Sequence, residues 1–505
     1  MTKKIFVLGI DGGTFDLVNK WIDQLPTFRK LLTGGAYAVL ESTIPNSSTP
    51  AWHSFYNSMG LGSLGMYYHM GSQAGEYSPK LFETVTGKEV WHVVSKNNKT
   101  AGVFSGVGVY PPQKLNGFMV CGTFYPQGST FTYPPELMDE LGKNYPTGTL
   151  DLDSESLDEQ VKVVCEQIDV LSKFILSFYK KYKSDFYLGI YDYFDVPCHF
   201  FWKYSDPTHP LYEPGHEDLI LNCYKKVDET LRQILEEIKD TDTTLIVMSD
   251  HGFKATYKNF NINSWLIKNG FLKLKKGKSN ASINKIRDSL VRFAIKTGVR
   301  KFIPQKVKEN VKISFKDIDW EQTKAYASYS GSIFINLKGR ESQGIVTNDD
   351  YDKIKDEIVE KLTSLQDDGV KVINKVYKRE ELYHGDKVDK MPDLMVFTDS
   401  QYTALTPAIK SEMFELSELS GNHAQEGMFI AYGKDIKPSK VSLELVDIAP
   451  TILHIMDIPI PIYMEGRVVK DLFTDSLKNK EVEYELEKDK TAIEKERVSQ
   501  ILGRI

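Results

Sequence analysis

The chain has 505 residues, 41% of them hydrophobic and 26% charged, which suits a globular protein with enough apolar material for a large core. Its net charge of −6 argues against a protein whose whole surface binds nucleic acid or anionic membranes. The four cysteines are far apart and include no CxxC pair, so they predict neither a zinc knuckle nor a disulfide framework.

The amino-terminal segment predicts neither a signal peptide nor a membrane span. The apolar run at residues 5–10 is too short for a signal-peptide core. No uninterrupted apolar stretch of about 18 residues occurs anywhere in the chain. We therefore expect a cytoplasmic protein.

Apolar runs that suit buried strands alternate along the chain with amphipathic stretches of helical length. The strand-like runs are at 4–11, 99–107, 117–122, 185–195, 243–250 and 428–433, and the helical stretches include 17–35, 155–182 and 217–239. This alternation predicts an α/β fold with a mainly parallel central sheet that is flanked by helices.

The first strand is followed directly by an acid, Asp11, and by Gly12 and Gly13. Open α/β sheets bind their ligands at the carboxyl ends of the strands, which makes Asp11 a candidate site residue. The alternative is an aspartate that only stabilises a turn or caps a helix.

A hydroxyl-rich segment, ESTIPNSSTPAWHSF, follows the next strand-like run, YAVLES. The stretch after Pro50 predicts a helix, and a hydroxyl near its start would gain from the positive end of the helix dipole. Ser47, Ser48 and Thr49 are all candidate nucleophiles on this reasoning. One of them could instead cap the helix.

The segment DFYLGIYDYFDVPCHFFW offers Asp195 and His199, four residues apart. Because Pro197 opposes a regular helix, we expect a loop at the end of the strand that delivers both side chains to one ion. Asp192 is the rival ligand, and a buried structural histidine is the alternative for His199.

Two more segments carry candidate ligands, one directly after an apolar run and one directly before an apolar run. Asp250 and His251 end the run TTLIVMSDH, and they can face one point only if the backbone turns at Gly252. His423 is predicted to lie in a loop before the run MFIAYG, although it could be a simple surface residue.

Together, these segments supply three carboxylates and three imidazoles at strand ends or in loops. Such ligands suit two divalent ions, with zinc preferred and manganese or iron as alternatives. Two ions about 4 Å apart can hold a phosphoryl group and activate a nucleophile.

Residues 273–316 contain 14 lysines and arginines and only two acids. This stretch predicts either amphipathic helices packed on the body or a basic lid that attracts an anionic substrate or an anionic membrane surface. Residues 476–505 predict a charged surface helix.

With these residues in view, the chain resembles the alkaline phosphatase superfamily, and most closely its type I phosphodiesterase/nucleotide pyrophosphatase branch, which includes predicted phosphohydrolases and phosphomutases. The matching phrases extend from residue 4 to about residue 470 in a consistent order. They are IFVLGIDGGTFD, LESTIPNSSTPAWHSF, VGVYPPQKLNGFMVCGTFYPQGSTFTYPPEL, DVPCHFFW, LIVMSDHGF, INLKGRESQGIV, GNHAQEGMFIAYG and VDIAPTILHIMDIPIP.

The resemblance implies a role for each candidate. One metal ion would bind Asp11, Asp250, His251 and the nucleophile, and the other would bind the remaining acid and two histidines, Asp195, His199 and His423. The nucleophile of such enzymes stands two residues before the proline, which selects Ser48, with Thr49 as the alternative.

The resemblance also implies residues that contact the substrate. An ungapped count places His69 where nucleotide pyrophosphatases have an asparagine beside the phosphoryl oxygens, although it could be a surface histidine. Asn46 is a further candidate for substrate binding. The chain departs from the branch at Asn57-Ser58 and Leu64-Gly65, and Trp52 and Ser48 argue against sulfatase chemistry.

The implied reaction is phosphodiester hydrolysis through a metal-activated serine, a covalent phosphoenzyme intermediate and two divalent metal ions. The substrate would be a small phosphate ester or a nucleotide- or glycan-linked one, and not a nucleic-acid polymer. A phosphomutase or a phosphomonoesterase is the alternative, and a non-catalytic protein that binds an anionic ligand is a remote one.

The expected architecture is an alkaline phosphatase-like core made of residues 1–270 and 396–475. Residues 271–395 are expected to form an inserted α+β cap with basic helices, and 476–505 the carboxyl-terminal helix.

Overall fold

The structure is a computed structural model, and it describes most of the chain. The described residues are 3–66, 86–123, 125–142, 145, 156–275, 315–328, 330–405, 409–410 and 412–485, together with the backbone of 70–73 and 76–79.

The described part of the chain contains twenty-two strands. They are β1 (Lys4–Ile10), β2 (Ala36–Glu41), β3 (Met70–Gln73), β4 (Glu76–Pro79), β5 (Ala101–Gly106), β6 (Gly117–Cys121), β7 (Thr132–Tyr133), β8 (Phe186–Tyr191), β9 (Thr243–Met248), β10 (Gly252–Ala255), β11 (Lys258–Asn261), β12 (Ala325–Ala327), β13 (Ser332–Ile335), β14 (Gln366–Asp367), β15 (Val370–Lys371), β16 (Ile373–Lys378), β17 (Leu394–Thr398), β18 (Tyr402–Leu405), β19 (Phe414–Leu416), β20 (Gly421–Ala424), β21 (Glu426–Tyr432) and β22 (Ser439–Lys440).

Fourteen α-helices occur in the same described ranges. They are α1 (Phe15–Lys20), α2 (Pro26–Gly34), α3 (Ser48–Asn57), α4 (Leu61–Leu64), α5 (Val90–Lys96), α6 (Leu137–Leu141), α7 (Leu157–Tyr182), α8 (Asp195–Ser205), α9 (Leu219–Ile238), α10 (Ile262–Lys268), α11 (Asn348–Thr363), α12 (Arg379–Leu382), α13 (Leu445–Ile455) and α14 (Asp475–Lys478).

A nine-stranded sheet forms the centre of the molecule, in the order β22-β2-β21-β9-β1-β8-β5-β6-β7. The strands β9, β1, β8, β5 and β6 are parallel to one another, whereas β21 and β7 run antiparallel to their neighbours. Because helices cover both faces, β8 and β9 are buried along their whole length, which explains their uninterrupted apolar sequences. The predicted α/β fold with a mainly parallel sheet is confirmed.

The two faces of the sheet pack against different helices. One apolar core contains buried residues of α1, α2, α7, α8 and α9, and the other contains those of α3, α5 and α13. The predicted helical stretch 17–35 is interrupted, since α1 ends at Lys20 and α2 begins at Pro26 after a 3-10 turn.

A smaller α+β unit lies in the chain between the core strands β9 and β21. It is built on the four-stranded antiparallel sheet β12-β13-β17-β16 and on α11. Its apolar core also includes Phe260, Trp265 and Tyr402, which lie outside the range 271–395 that the sequence suggested for the cap. The proposed domain boundaries stay a prediction.

The charged segments are only partly covered. Residues 276–314, which contain most of the predicted basic lid, lie outside the described residues. Instead of a long helix from residue 476, the structure has the short α14 and then non-helical chain to residue 485, and 486–505 lie outside the described range. Among the described helices, none combines the length and apolar character that a membrane crossing requires.

Candidate active site

Three acids and three histidines from separate segments meet at the carboxyl edge of the central strands. Asp11 follows β1, Asp195 begins α8 after β8, and Asp250 and His251 follow β9. His423 lies on β20, which pairs with β10 just beyond His251. These six side chains form two groups whose ligand atoms, within each group, all lie within 4.8 Å of one another.

The first group is fully buried and consists of Asp11, Asp250 and His251. The Nε2 atom of His251 lies 3.3 Å from Asp11 Oδ1 and 3.3 Å from Asp250 Oδ2. The other oxygen of Asp250 accepts a hydrogen bond of 3.2 Å from the Gly12 amide, which fixes the carboxylate. This geometry holds three potential ligands around one point.

Ser48 adjoins the first group at the start of α3. Its Oγ atom lies 3.2 Å from Asp11 Oδ1 and 3.2 Å from His251 Nε2. Ser47 is the residue before the helix, and its side chain forms no capping hydrogen bond. The structure therefore places Ser48, of the three candidate hydroxyls, in contact with the carboxylates and imidazoles.

The second group, Asp195, His199 and His423, is more exposed. Its side chains keep 20%, 17% and 17% of their surface accessible, respectively, so this group faces the opening of the site. The Nε2 atom of His199 lies 3.5 Å from Asp195 Oδ2, and that of His423 lies 3.9 Å from the same oxygen. The two groups touch, because the rings of His251 and His423 stack with centroids 3.7 Å apart.

All three histidines turn Nε2 toward the two groups and form a hydrogen bond through Nδ1. Their Nδ1 atoms lie 3.1, 3.0 and 2.8 Å from the backbone oxygens of Gly252, Gly421 and Asn46, for His251, His199 and His423 respectively. A carbonyl oxygen can only accept, so each Nδ1 carries a proton, and Nε2 is the nitrogen with which each ring can bind a metal ion. This is the tautomer that a metal ligand requires.

Two further contacts fit bound cations. The Nε2 atoms of His199 and His423 face each other at 3.2 Å, an unfavourable pairing of lone pairs unless a cation lies against both. The buried Oδ2 of Asp250 has no hydrogen-bond partner among the described residues. Nitrogen and carboxylate donors of this kind suit zinc and related divalent metals.

Burial shifts the protonation of these groups. Burial, followed by the neighbouring Asp250 carboxylate, raises the pKa of Asp11 well above its usual range. Burial also raises the pKa of Asp250 to about 8. Burial and the adjacent His251 and His199 lower the pKa of His423 well below its usual value. A divalent cation would favour the ionised acids and would compete with their protons.

Two apolar side chains position the ligands, and neither was predicted from the sequence. Trp52 lies on α3 and is fully buried, and its Nε1 atom donates to Asp11 Oδ2, 3.3 Å away. The Phe253 ring packs edge-on against His199 at 4.7 Å. Gly12 has a positive φ of 69°, and a Cβ there would lie 2.6 Å from the Phe253 ring, so both turn and packing require glycine. Trp52 lies four residues after Ser48. This spacing is the one feature of the sequence that places both residues on the same face of a helix.

Two predictions about local structure were wrong. Asp195 and His199 lie on helix α8 and not in a loop. Pro197 is tolerated because it lies in the first helical turn, where its missing N–H has no intrahelical partner to lose. His423 lies on strand β20 and not in a loop, because β10 provides a pairing edge that the local sequence does not reveal.

The remaining candidates have other positions. Asp192 is buried and accepts hydrogen bonds of 2.9 and 2.7 Å from the amide and the hydroxyl of Thr123, and it belongs to neither group. The backbone oxygen of Asn46 orients His423. Thr49 is buried and packs against Gly108, and His69 lies outside the described residues.

Comparisons with known proteins show the family of this chain and proteins that are similar to it in fold. A family model described as type I phosphodiesterase/nucleotide pyrophosphatase matches residues 5–425. No curated protein sequence gives a significant match. Among solved structures, the murine and human ectonucleotide pyrophosphatase/phosphodiesterase 5 are similar in fold, with TM-scores of 0.52 and 0.53 at 14% identity, over 94% of this chain and 100% of theirs. An inactive variant of the murine protein in complex with AMP has a TM-score of 0.53, with the same identity and coverage.

Proposed function

The chain belongs to the metal-dependent type I phosphodiesterase/nucleotide pyrophosphatase family and hydrolyses phosphoric esters, and we propose that it cleaves phosphodiesters with Ser48 as the nucleophile. The observation that carries this proposal is the position of Ser48 Oγ, 3.2 Å from both Asp11 Oδ1 and His251 Nε2. A hydroxyl in contact with two side chains that would bind one divalent ion lies where such an ion, when bound, would lower the pKa of the hydroxyl and favour its attack on phosphorus.

We propose that the two groups hold two divalent metal ions, with zinc preferred. The first ion would bind Asp11, Asp250 and His251, and the second would bind the other three side chains, Asp195, His199 and His423. When bound, such ions supply positive charge for the phosphoryl oxygens and lower the pKa of hydroxyl groups.

The residues of the chain prepare the site for an in-line displacement. Ser48 is the first residue of α3, so the amide groups of the first helical turn offer partial positive charge to a phosphoryl group beside it. Attack of Ser48 Oγ on phosphorus would break the bond to one alcohol, which leaves with a proton, and would give a phosphoserine that still carries the second ester group. Water would then break the bond between phosphorus and Ser48 Oγ and release a phosphomonoester. The more exposed second group, near Asp195, is where the leaving alcohol and the incoming water have access.

Charge favours a diester over a monoester. Three carboxylates belong to the two groups, so two divalent ions would leave one net positive charge, which matches the single charge of a phosphodiester. Among the described residues, no lysine or arginine forms an ion pair with Asp11, Asp195 or Asp250, whereas a monoester dianion would need a further cation. A nucleotide-like substrate is supported by the AMP complex of the structural neighbour.

The test compares two chromogenic substrates on the metal-loaded enzyme, bis-p-nitrophenyl phosphate and p-nitrophenyl phosphate. We expect faster cleavage of the diester and a loss of about 1000-fold or more in kcat for Ser48→Ala. Ser47→Ala is the matched control, because its side chain forms no capping hydrogen bond. Full activity of Ser48→Ala would refute the nucleophile, and cleavage of the monoester alone would indicate the phosphomonoesterase or phosphomutase alternative.

A further inference from the structure

The cap contacts the segment that carries the nucleophile. We define the nucleophile loop as residues 42–47, the non-helical segment between β2 and α3. Four of its backbone oxygens accept hydrogen bonds from side chains elsewhere in the chain, and the first is that of Ser42, which accepts from Gln425 Nε2. Gln425 Nε2 donates to Thr43 at 3.1 Å, Tyr383 Oη donates to Ile44 at 2.8 Å, and His423 Nδ1 donates to Asn46 at 2.8 Å.

Two of these three donors belong to the core, but Tyr383 belongs to the cap. It follows α12 directly, and it is buried with 5% of its surface exposed. Gln425 and His423 lie on or beside β20, so they hold the loop from the side of the metal ligands. The Tyr383 hydroxyl reaches the loop from the cap and donates to the oxygen of Ile44, which lies between Thr43 and Asn46 in the chain.

The residues that follow Tyr383 contact α4, the short helix that comes after α3 in the chain. We call residues 383–387 the brace. Its Lys387 amide donates to the oxygen of Gly62 at 2.8 Å, and the Lys387 ammonium donates to that of Leu64 at 3.2 Å. A Cβ on Gly62 would lie 2.2 Å from the oxygen of His384, so the brace and α4 are in backbone contact.

From these contacts, we propose that Tyr383 is a positioning residue that sets the place of Ser48 through the nucleophile loop. The brace touches the chain before α3 and after it, so it fixes the helix start where Ser48 lies. Ser48 makes two contacts of 3.2 Å to different groups, and a shift of the loop would lengthen both. A misplacement of about 1 Å at a reacting atom can cost about 100-fold in rate.

This inference rests on the proposed function for its kinetic readout. The experiment uses the full chain with Tyr383→Phe, which keeps the ring and removes the hydroxyl. Tyr402→Phe is the matched control, since Tyr402 is also buried in the cap core and its hydroxyl donates to Asp367 at 3.0 Å and not to the loop. Two readouts are measured: kcat and KM on bis-p-nitrophenyl phosphate, and hydrogen–deuterium exchange of the loop amides.

We expect Tyr383→Phe to lower kcat about 10- to 100-fold with little change in KM, and to increase exchange in residues 42–48. The control should change neither, while both variants lose similar thermal stability. Unchanged loop exchange, or a kcat equal to that of the control, would overturn the proposal. Increased exchange throughout the cap and core would do so as well, because it would indicate a merely structural role.

A failure of the proposed function and a failure of the Tyr383 proposal give different experimental results. If the wild-type chain cleaves neither ester, the phosphodiesterase proposal fails. The exchange comparison between the two variants still decides whether Tyr383 fixes the loop.

Discussion

Replacement of Trp52 by phenylalanine tests whether an indole N–H supports the proposed first metal site at Asp11, Asp250 and His251. Trp52 is fully buried, and its Nε1 donates to Asp11 Oδ2 at 3.3 Å. The substitution keeps an aromatic ring in the core but leaves this carboxylate oxygen without its donor. With a cation bound, Asp11 must be ionised, so the lost hydrogen bond would raise the free energy of the metal-bound state.

The structure sets the expected size of the effect. A hydrogen bond to a charged group contributes about 1.5–3 kcal/mol, and the length of 3.3 Å places this one in the lower part of that range. A loss of about 1.5–2 kcal/mol corresponds to a 10- to 30-fold weaker metal affinity. Partners of this kind commonly change metal affinity by about 10- to 100-fold.

The assay is competition between the metal-free protein and a chromogenic chelator for zinc or manganese. Trp91→Phe is the matched control, because Trp91 is equally buried in the same core and donates to the neutral side chain of Gln113 at 2.9 Å. Both variants lose one indole, so the difference in their affinities isolates the contact with Asp11. Equal affinities of the two variants, within about twofold, would refute the reasoning.

Three further predictions follow from other parts of the structure. Burial raises the pKa of Asp250 from 3.8 to about 8. The neutral carboxyl group therefore favours the folded, metal-free protein, and this stability is fully present below the unfolded pKa of 3.8 and is lost as pH rises to about 8. The midpoint of thermal unfolding should fall over this range, and a pH-independent midpoint would contradict the prediction. Gly252→Ala would put a Cβ 1.9 Å from the backbone oxygen of Glu426. Calorimetry should therefore show a free energy of unfolding lower by about 1–3 kcal/mol or more. An unchanged unfolding temperature would contradict this close approach. Arg340→Met removes two hydrogen bonds of 2.7 and 2.6 Å to the fully buried Asp393, and denaturant unfolding should show a free energy of unfolding lower by about 3 kcal/mol. An unchanged free energy of unfolding would contradict the importance of this ion pair.

The central sheet could be predicted because its strands are buried on both faces. The runs that became β1, β8 and β9 are apolar without interruption, which is a local property of the sequence. The antiparallel position of β21 and the pairing of β20 with β10 depend on distant segments, and no local pattern reports them.

The candidate ligands could be found because strand ends in such sheets converge at one edge. Their supports could not, since each is a contact between segments that are remote in sequence. Phe253 and Trp52 look like ordinary core residues, and Tyr383 lies in a different unit of the fold from Ser48. The helix that begins at Asp195 does not follow from the sequence pattern, because Pro197 opposes a helix except in its first turn and the pattern does not reveal where the helix begins.

The position of β2 in the sheet bears on the order in which the protein can be assembled during its synthesis. β2 leads into the nucleophile loop, yet among the described strands it pairs with β21 and β22, which are translated after the smaller α+β unit. A nascent chain that ends before residue 426 therefore has no partner for β2, however well its other parallel strands have formed. Contacts this distant in sequence form late, because the intervening chain must first be closed into a loop. Ser48 would thus reach its place beside Asp11 and His251 only after β21 has been translated, so the proposed nucleophile would be positioned later than the parallel strands of the sheet.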